Sequence, residues 1–303
     1  VNFRLASSIY GKPWLIDSQT ALAYLQILEN GGLEKIRGGF LDDDEEEPKT
    51  IFQKLFTGSN GITVAPIHRA DAVDHPGYEG NTIGILPVIG PMMKEDSCGW
   101  YGTANLKNEL NKMSATSSIK AIVALIDTPG GTVDGNQAFA DAYKASPKEK
   151  ITVIDGMMCS AGYWFGSGGD EVIATSQTDI IGCIGTMIAF YDYSKRYQEM
   201  GIVLREFRAT ASKDKNKDYN EAKKGNGSLL IESTLDPMND VFLNAVRTNR
   251  GDKLDQKKTL SGKTYVGQQA VDVGLVDRIE SMDQVLTNLI QKHNKISTLK
   301  IAI

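Results

Sequence analysis

Apolar positions follow two different rhythms along this chain, and the change falls near residue 80. Upstream, the spacing is helical in LIDSQTALAYLQILE (15–29), where Leu22, Leu25, Ile27 and Leu28 recur behind Asp17 or Ser18 as N-cap. Gly31 and Gly32 end that amphipathic helix. The run from Asp42 to Glu47 is uniformly acidic. Like charges repel, so it reads as a solvated loop, with a specific cation site as the other reading. Residues 1–78 are expected to form an N-terminal arm or cap, and 79–303 the main domain.

From Asn81 onward, short apolar runs alternate with helical segments, the pattern of an α/β domain whose sheet is buried on both faces. Strands are expected at 82–89 (TIGILPVI), 120–127 (KAIVALID), 151–155 (ITVID), 171–175 (EVIAT), 186–192 (TMIAFYD) and 202–207 (IVLREF). Between and beyond them, helices are expected over Trp100–Met113, Thr132–Ala145, Ser160–Gly168, Tyr193–Met200, Ser228–Arg247 and Met282–His293. In the first of these, Leu106, Leu110 and Met113 share one face.

Composition narrows the function classes. The 303 residues carry 33 Lys and Arg against 38 Asp and Glu, a formal net charge of −5. That balance argues against nucleic acid, which is met by a Lys/Arg excess. Cys98, Cys159 and Cys183 form no CxxC pair and lack a His at metal-ligand spacing, so neither a disulfide framework nor a metal site is expected, and a reducing compartment fits. The longest apolar candidates are broken by Pro87, Gly90 and Pro91, short of the roughly 18 residues a membrane span needs. Arg4 and Lys12 likewise interrupt any signal-peptide core.

Two strand ends carry candidate chemistry. In DTPGGTVDG (127–135) a buried strand stops at Pro129, Gly130 and Gly131 before a helix. Glycines there let backbone N–H groups face a cleft, as an oxyanion hole requires; a tight strand-to-helix turn without a ligand is the other reading. In VIDGMMCSAGYWFGS (153–167) Ser160 follows a strand and opens a helix beside Ala161 and Gly162. It can be an exposed nucleophile or a helix N-cap. Cys159 beside it reads as a packed small hydrophobe rather than a second nucleophile.

A serine nucleophile needs a base. The three histidines, His68, His75 and His293, do not lie in the segment that follows Ser160. Lysine can serve when desolvation lowers its pKa from about 10.4 towards neutrality. Lys213, Lys215 and Lys217 in RATASKDKNKDYN (208–220) are the candidates.

Five segments in order, DTPGG (127–131), CSAGYW (159–164), GCIGT (182–186), SKD (212–214) and SGKTYVGQQAVDVGLVD (261–277), resemble the signal peptide peptidase A family of serine peptidases, within the ClpP/crotonase superfamily. The resemblance runs from Asn81 to about Glu280. It implies an α/β fold built as a superhelical stack of β-β-α units, with 79–303 as the catalytic domain. It also implies a Ser/Lys dyad of Ser160 as nucleophile and Lys213 as general base, an oxyanion turn at Gly130 and Gly131, and the Ala161 N–H as a further donor. Relatives commonly place a lysine-holding serine in a GSxG turn where this chain has Cys183, a weaker partner that Thr186 or Ser176 would supplement.

The segment IYGKPWLIDSQTALAYLQIL (9–28) stands where membrane-bound relatives carry an anchor, and it resembles the start of the phage and prophage capsid-assembly proteases. The expected activity is therefore that of a serine endopeptidase without metal or organic cofactor, working in the bacterial cytoplasm or the phage prohead. It would act on polypeptides, with capsid or scaffold proteins among its partners, as a homo-oligomer in which Lys213 can reach a neighbour's Ser160. A soluble cellular signal-peptide hydrolase, a crotonase-type acyl-CoA enzyme and a non-catalytic assembly protein of the same fold are the alternatives.

Overall fold

The computed structural model describes residues 14–16, 63–67, 81–96, 101–293 and 296–302. The body of the helix expected after Leu15, the acidic run, His68, His75, Cys98 and the boundary at residue 78 lie outside the described residues. Two short strands come first in the described residues, β1 (Trp14–Ile16) and β2 (Thr63–Ile67). The central strands are β3 (Asn81–Ile89), β4 (Ile119–Thr128) and β6 (Glu149–Cys159), and β5 (Gly130–Thr132) follows directly from β4. β7 (Glu171–Ala174), β8 (Ile180–Gly182), β9 (Thr264–Val266), β10 (Arg278–Ile279) and β11 (Ile296–Ala302) complete the set.

The main sheet runs β10-β7-β6-β4-β3-β11-β2, and each neighbouring pair in that order is parallel. Strands buried on both faces have no polar side, which is why they read as unbroken apolar runs. Along β4, Ile122, Ala124 and Ile126 enter one core, while Ala121, Val123 and Leu125 enter the other. The first face is covered by α1 (Thr103–Ala115), α2 (Asn136–Ala145), α3 (Ala161–Gly166) and α6 (Asp236–Arg250). The second is covered by α9 (Met282–Lys292) through Val285, Leu286 and Leu289. The α/β class is as expected, and β4, β5 and α2 form one β-β-α unit.

Several expected elements differ. The helix expected from Thr132 starts at Asn136, because Gly130–Thr132 stays extended as β5 against Met92. The expected strands 186–192 and 202–207 do not form. Met187 is a lone bridge residue, the short helix α4 (Ser194–Glu199) follows, and Phe207 beyond it is 90% exposed. Neither run is long enough in sheet pairing to make a strand among the described residues. The long helix expected over Ser228–Arg247 is composite: a turn at Ser228–Leu230, a π-helical segment at Ile231–Leu235, then α6 to Arg250.

Candidate active site

β6 changes partner halfway along. Ile151–Ile154 pair with β7, whereas Met157–Cys159 pair with β8. Across β4 the register jumps from Ile126 opposite Ile154 to Thr128 opposite Met158, so β6 bulges at Asp155–Met157. A bulge strands backbone N–H groups that must find acceptors. Asp179 Oδ1 takes the Gly156 N–H and Asp127 Oδ1 takes the Met157 N–H, both at 3.1 Å. Gly156 sits at φ +117°, where an L side chain is strained and a Cβ would lie 2.8 Å from Asp127 Oδ1. Burial holds both carboxyls above their usual range. The N–H bonds pull the other way, and the charges of Asp155 and Asp179 push Asp127 further up.

The bulge bends β6 so that its end runs beside the end of β4. With Thr128 paired to Met158, Gly130 and Ser160 each lie two residues beyond that pair. Gly162 packs so closely on Thr128 that a Cβ there would meet Cγ2 at 2.3 Å. The sequence-selected segments DTPGG and CSAGYW are thus neighbours at the C-terminal ends of parallel strands, where α/β sheets bind ligands.

Ser160 does not behave as an N-cap. A cap residue has extended dihedrals and accepts from the first turn, whereas Ser160 has φ 53° and ψ −113° and makes no side-chain capping bond to α3. Positive φ on a non-glycine residue costs on the order of 1–3 kcal/mol and persists where its surroundings over-determine it. Here the Ser160 N–H donates to Gly182 O at 2.8 Å, its carbonyl accepts the Trp164 N–H, and its Oγ donates to Gly185 O at 3.4 Å. The segment GCIGT therefore wraps the serine. Cys183 also has positive φ, 52°, and is fixed by its N–H bond to Lys263 O.

Gly130, Gly131 and Thr132 are buried. A Cβ on Gly131 would lie 1.7 Å from Met92 O, so no other residue fits. The two candidate oxyanion glycines differ. The Gly130 N–H already donates to Thr128 Oγ1 at 3.1 Å. Gly130 O and the Thr132 N–H bond to Met92, so in an extended strand Gly131 turns its N–H to the opposite edge. Ala161 is the first residue of α3 and fully buried.

Of the lysine-orienting candidates, Thr186 has its N–H bonded to Asn239 Oδ1 at 3.1 Å and a buried Oγ1 without a hydrogen-bond partner among the described residues. Asn239, on α6, carried no signal in the sequence. Ser176 is engaged elsewhere, its Oγ with Thr178 at 2.9 Å. Cys159 is packed as expected, fully buried with Sγ 3.8 Å from Ile180 O. Lys213 has a different setting: it follows the 3-10 turn Thr210–Ser212, and residues 201–217 are all exposed.

The downstream motif VDVGLVD anchors the helix behind the serine. Tyr163 donates to Leu275 O at 2.9 Å, and Asp277 pairs with Arg250 and Lys253 while accepting the Val172 N–H. Burial alone would raise the Asp277 carboxyl, but these bonds outweigh it and hold it at about 2.

Ser160 is thus a buried serine on a strained strand-to-helix turn, next to the glycine strand β5. Residues 142–296, just over half of the chain, match the profile of peptidase family S49, and the chain belongs to that family. The matched span includes Ser160 and Lys213. The chain is 26% identical over 267 residues to an Enterococcus faecium protein described as a putative signal peptide peptidase SppA, covering 84% of this chain and 75% of that one. It is also 25% identical over 214 residues to capsid assembly protease C of Escherichia phage lambda, covering 68% of this chain. That match spans about half, 48%, of the phage protein. Among solved structures, a lysine-to-alanine mutant of a membrane-bound stomatin-specific protease with a substrate peptide aligns at TM-score 0.43 and 11% identity, over 69% of this chain and 80% of that one. Among the described residues, no helix is long and apolar enough to cross a membrane.

Proposed function

We propose that the protein is a serine endopeptidase in which Ser160 is the nucleophile and Lys213 the general base, acting in phage or prophage capsid maturation. The observation that carries this reading is the backbone of Ser160, held at positive φ without a capping role. Lys213 takes the hydroxyl proton as Oγ attacks a peptide carbonyl. The oxyanion is held by the N–H groups of Gly131 and Ala161, with Gly130 shaping the turn. The lysine then passes its proton to the leaving amine, and water releases the acyl group.

A lysine works as a base where water is excluded, and on the single chain Lys213 is exposed. A homo-oligomer, with Lys213 covered in the cleft of a neighbouring copy, resolves this. The apolar residues displayed nearby support it, with Val203, Leu204 and Phe207 65%, 74% and 90% exposed. Thr186 Oγ1, buried and unpartnered among the described residues, is available to hold that lysine beside Cys183. The capsid role rests on the similarity to the lambda protease.

The test is fluorophosphonate labelling together with proteolysis of a denatured protein and of a capsid scaffold. Ser160→Ala should abolish labelling, and both Ser160→Ala and Lys213→Ala should lower hydrolysis by on the order of 10³-fold or more. Coenzyme A binding without labelling would instead favour an acyl-CoA enzyme. Full activity in Lys213→Ala would remove the dyad.

A further inference from the structure

We propose that β1 is a built-in occupant of the substrate-binding edge, so that the chain inhibits itself until Trp14–Ile16 is displaced. This rests on Ser160 being the nucleophile. A peptidase that takes extended peptides must pair them with a strand edge beside its nucleophile, and strand addition supplies the backbone hydrogen bonds. β5 is that strand, since its glycines adjoin Ser160. One edge of β5 is taken by Met92, whose N–H donates to Gly130 O at 2.8 Å and whose carbonyl accepts the Thr132 N–H at 2.9 Å. The free edge presents Gly131, the glycine whose N–H is not otherwise engaged. β1 lies along it, antiparallel, with Trp14 opposite Thr132, Leu15 opposite Gly131 and Ile16 opposite Gly130.

The alternation of an antiparallel ladder makes Leu15 and Gly131 the hydrogen-bonded pair. Leu15 thus holds the backbone position that an incoming peptide needs on the oxyanion glycine. Its neighbours are apolar, as expected of a segment imitating an apolar substrate. The site is also closed: Ser160 has no exposed surface, and all three residues of β5 are buried. A substrate reaches them only when something moves. The element lying on the free edge of β5 is β1, tethered at high effective concentration.

A reversible lock on the full-length protein tests this. Trp14 and Thr132 form a pair without mutual hydrogen bonds, whose Cα spacing of about 4.5 Å suits a disulfide. In Trp14→Cys/Thr132→Cys, oxidation should lower hydrolysis of an extended fluorogenic peptide about tenfold or more, with recovery on reduction. A small fluorophosphonate should label Ser160 in the reduced form and label it far more slowly in the oxidised form, where Leu15 covers the Gly131 N–H. Wild type treated alike controls for Cys98, Cys159 and Cys183. Leu15→Pro, which cannot donate to the ladder, should lower KM with kcat unchanged. Equal hydrolysis by the locked and reduced forms, or a raised KM in Leu15→Pro, overturns the inference while labelling keeps the nucleophile standing. Failure of the two cysteines to cross-link overturns the pairing itself. If no variant is labelled and none hydrolyses peptide, the nucleophile assignment falls and this inference falls with it.

Discussion

Replacing Asp277 by Asn isolates what holds the helix behind Ser160. The Asp277 side chain is 14% exposed and the Arg250 side chain 2%, joined by two bonds of 3.0 Å, with Lys253 at 2.8 Å on the same carboxylate. The carboxyl titrates at about 2 instead of its ordinary 3.8. Such a depression corresponds to on the order of 2–3 kcal/mol of folding stability at neutral pH. A second route agrees: removing one partner of a buried pair costs about 3–5 kcal/mol, and Asn keeps a neutral acceptor that recovers part of it. Because the folded pKa is depressed, the contribution is complete above the unfolded value and is lost as pH falls through about 2. Urea unfolding of wild type and Asp277→Asn should therefore show a gap of about 2–4 kcal/mol at pH 7 that narrows steadily between pH 4 and 2. A gap below about 1 kcal/mol, or one that stays constant down to pH 2, would refute the reasoning.

Four further outcomes are expected. Gly131→Ala should lose more than about 3 kcal/mol in a thermal or urea melt, because its Cβ meets Met92 O at 1.7 Å; a variant melting like wild type would mean that β5 can move away. Ser160→Gly should be more stable than Ser160→Ala by about 1 kcal/mol, since Ala inherits the φ of 53°, while neither is labelled; the reverse order would deny the strain. Tyr163→Phe leaves Leu275 O without its donor and should cost about 1–2 kcal/mol by denaturation, with an unchanged melt speaking against that anchor. Phe207→Asp should reduce the oligomer mass seen by light scattering and keep the helical circular dichroism of the protomer, whereas an unchanged mass would place the interface elsewhere.

The doubly buried strands were legible because two-sided burial leaves its mark in each residue. KAIVALID and ITVID could hardly be solvated, and both are strands. The same mark misled at 186–192 and 202–207, where apolarity signals burial without saying against what; these residues form no strand among the described residues. Ser160 was legible through the small residues around it. Its departure from a capping conformation was not, since that depends on Gly182 and Gly185 closing over it. Nor could spacing disclose the bulge in β6, which Asp127 and Asp179 complete from other elements. The downstream Gly-Leu-Val-Asp stood out as a family motif, while its partners, Tyr163, Arg250 and Val172, are set by packing.

The bond from Tyr163 to Leu275 also orders events in time. Its two ends lie 112 residues apart, and Asp277, which clamps Arg250 beside it, comes later still. A ribosome that has already released Ser160 must add all of α6 and the whole turn at 274–277 before α3 has its anchor. During synthesis the serine is thus present more than a hundred residues before it is held in place.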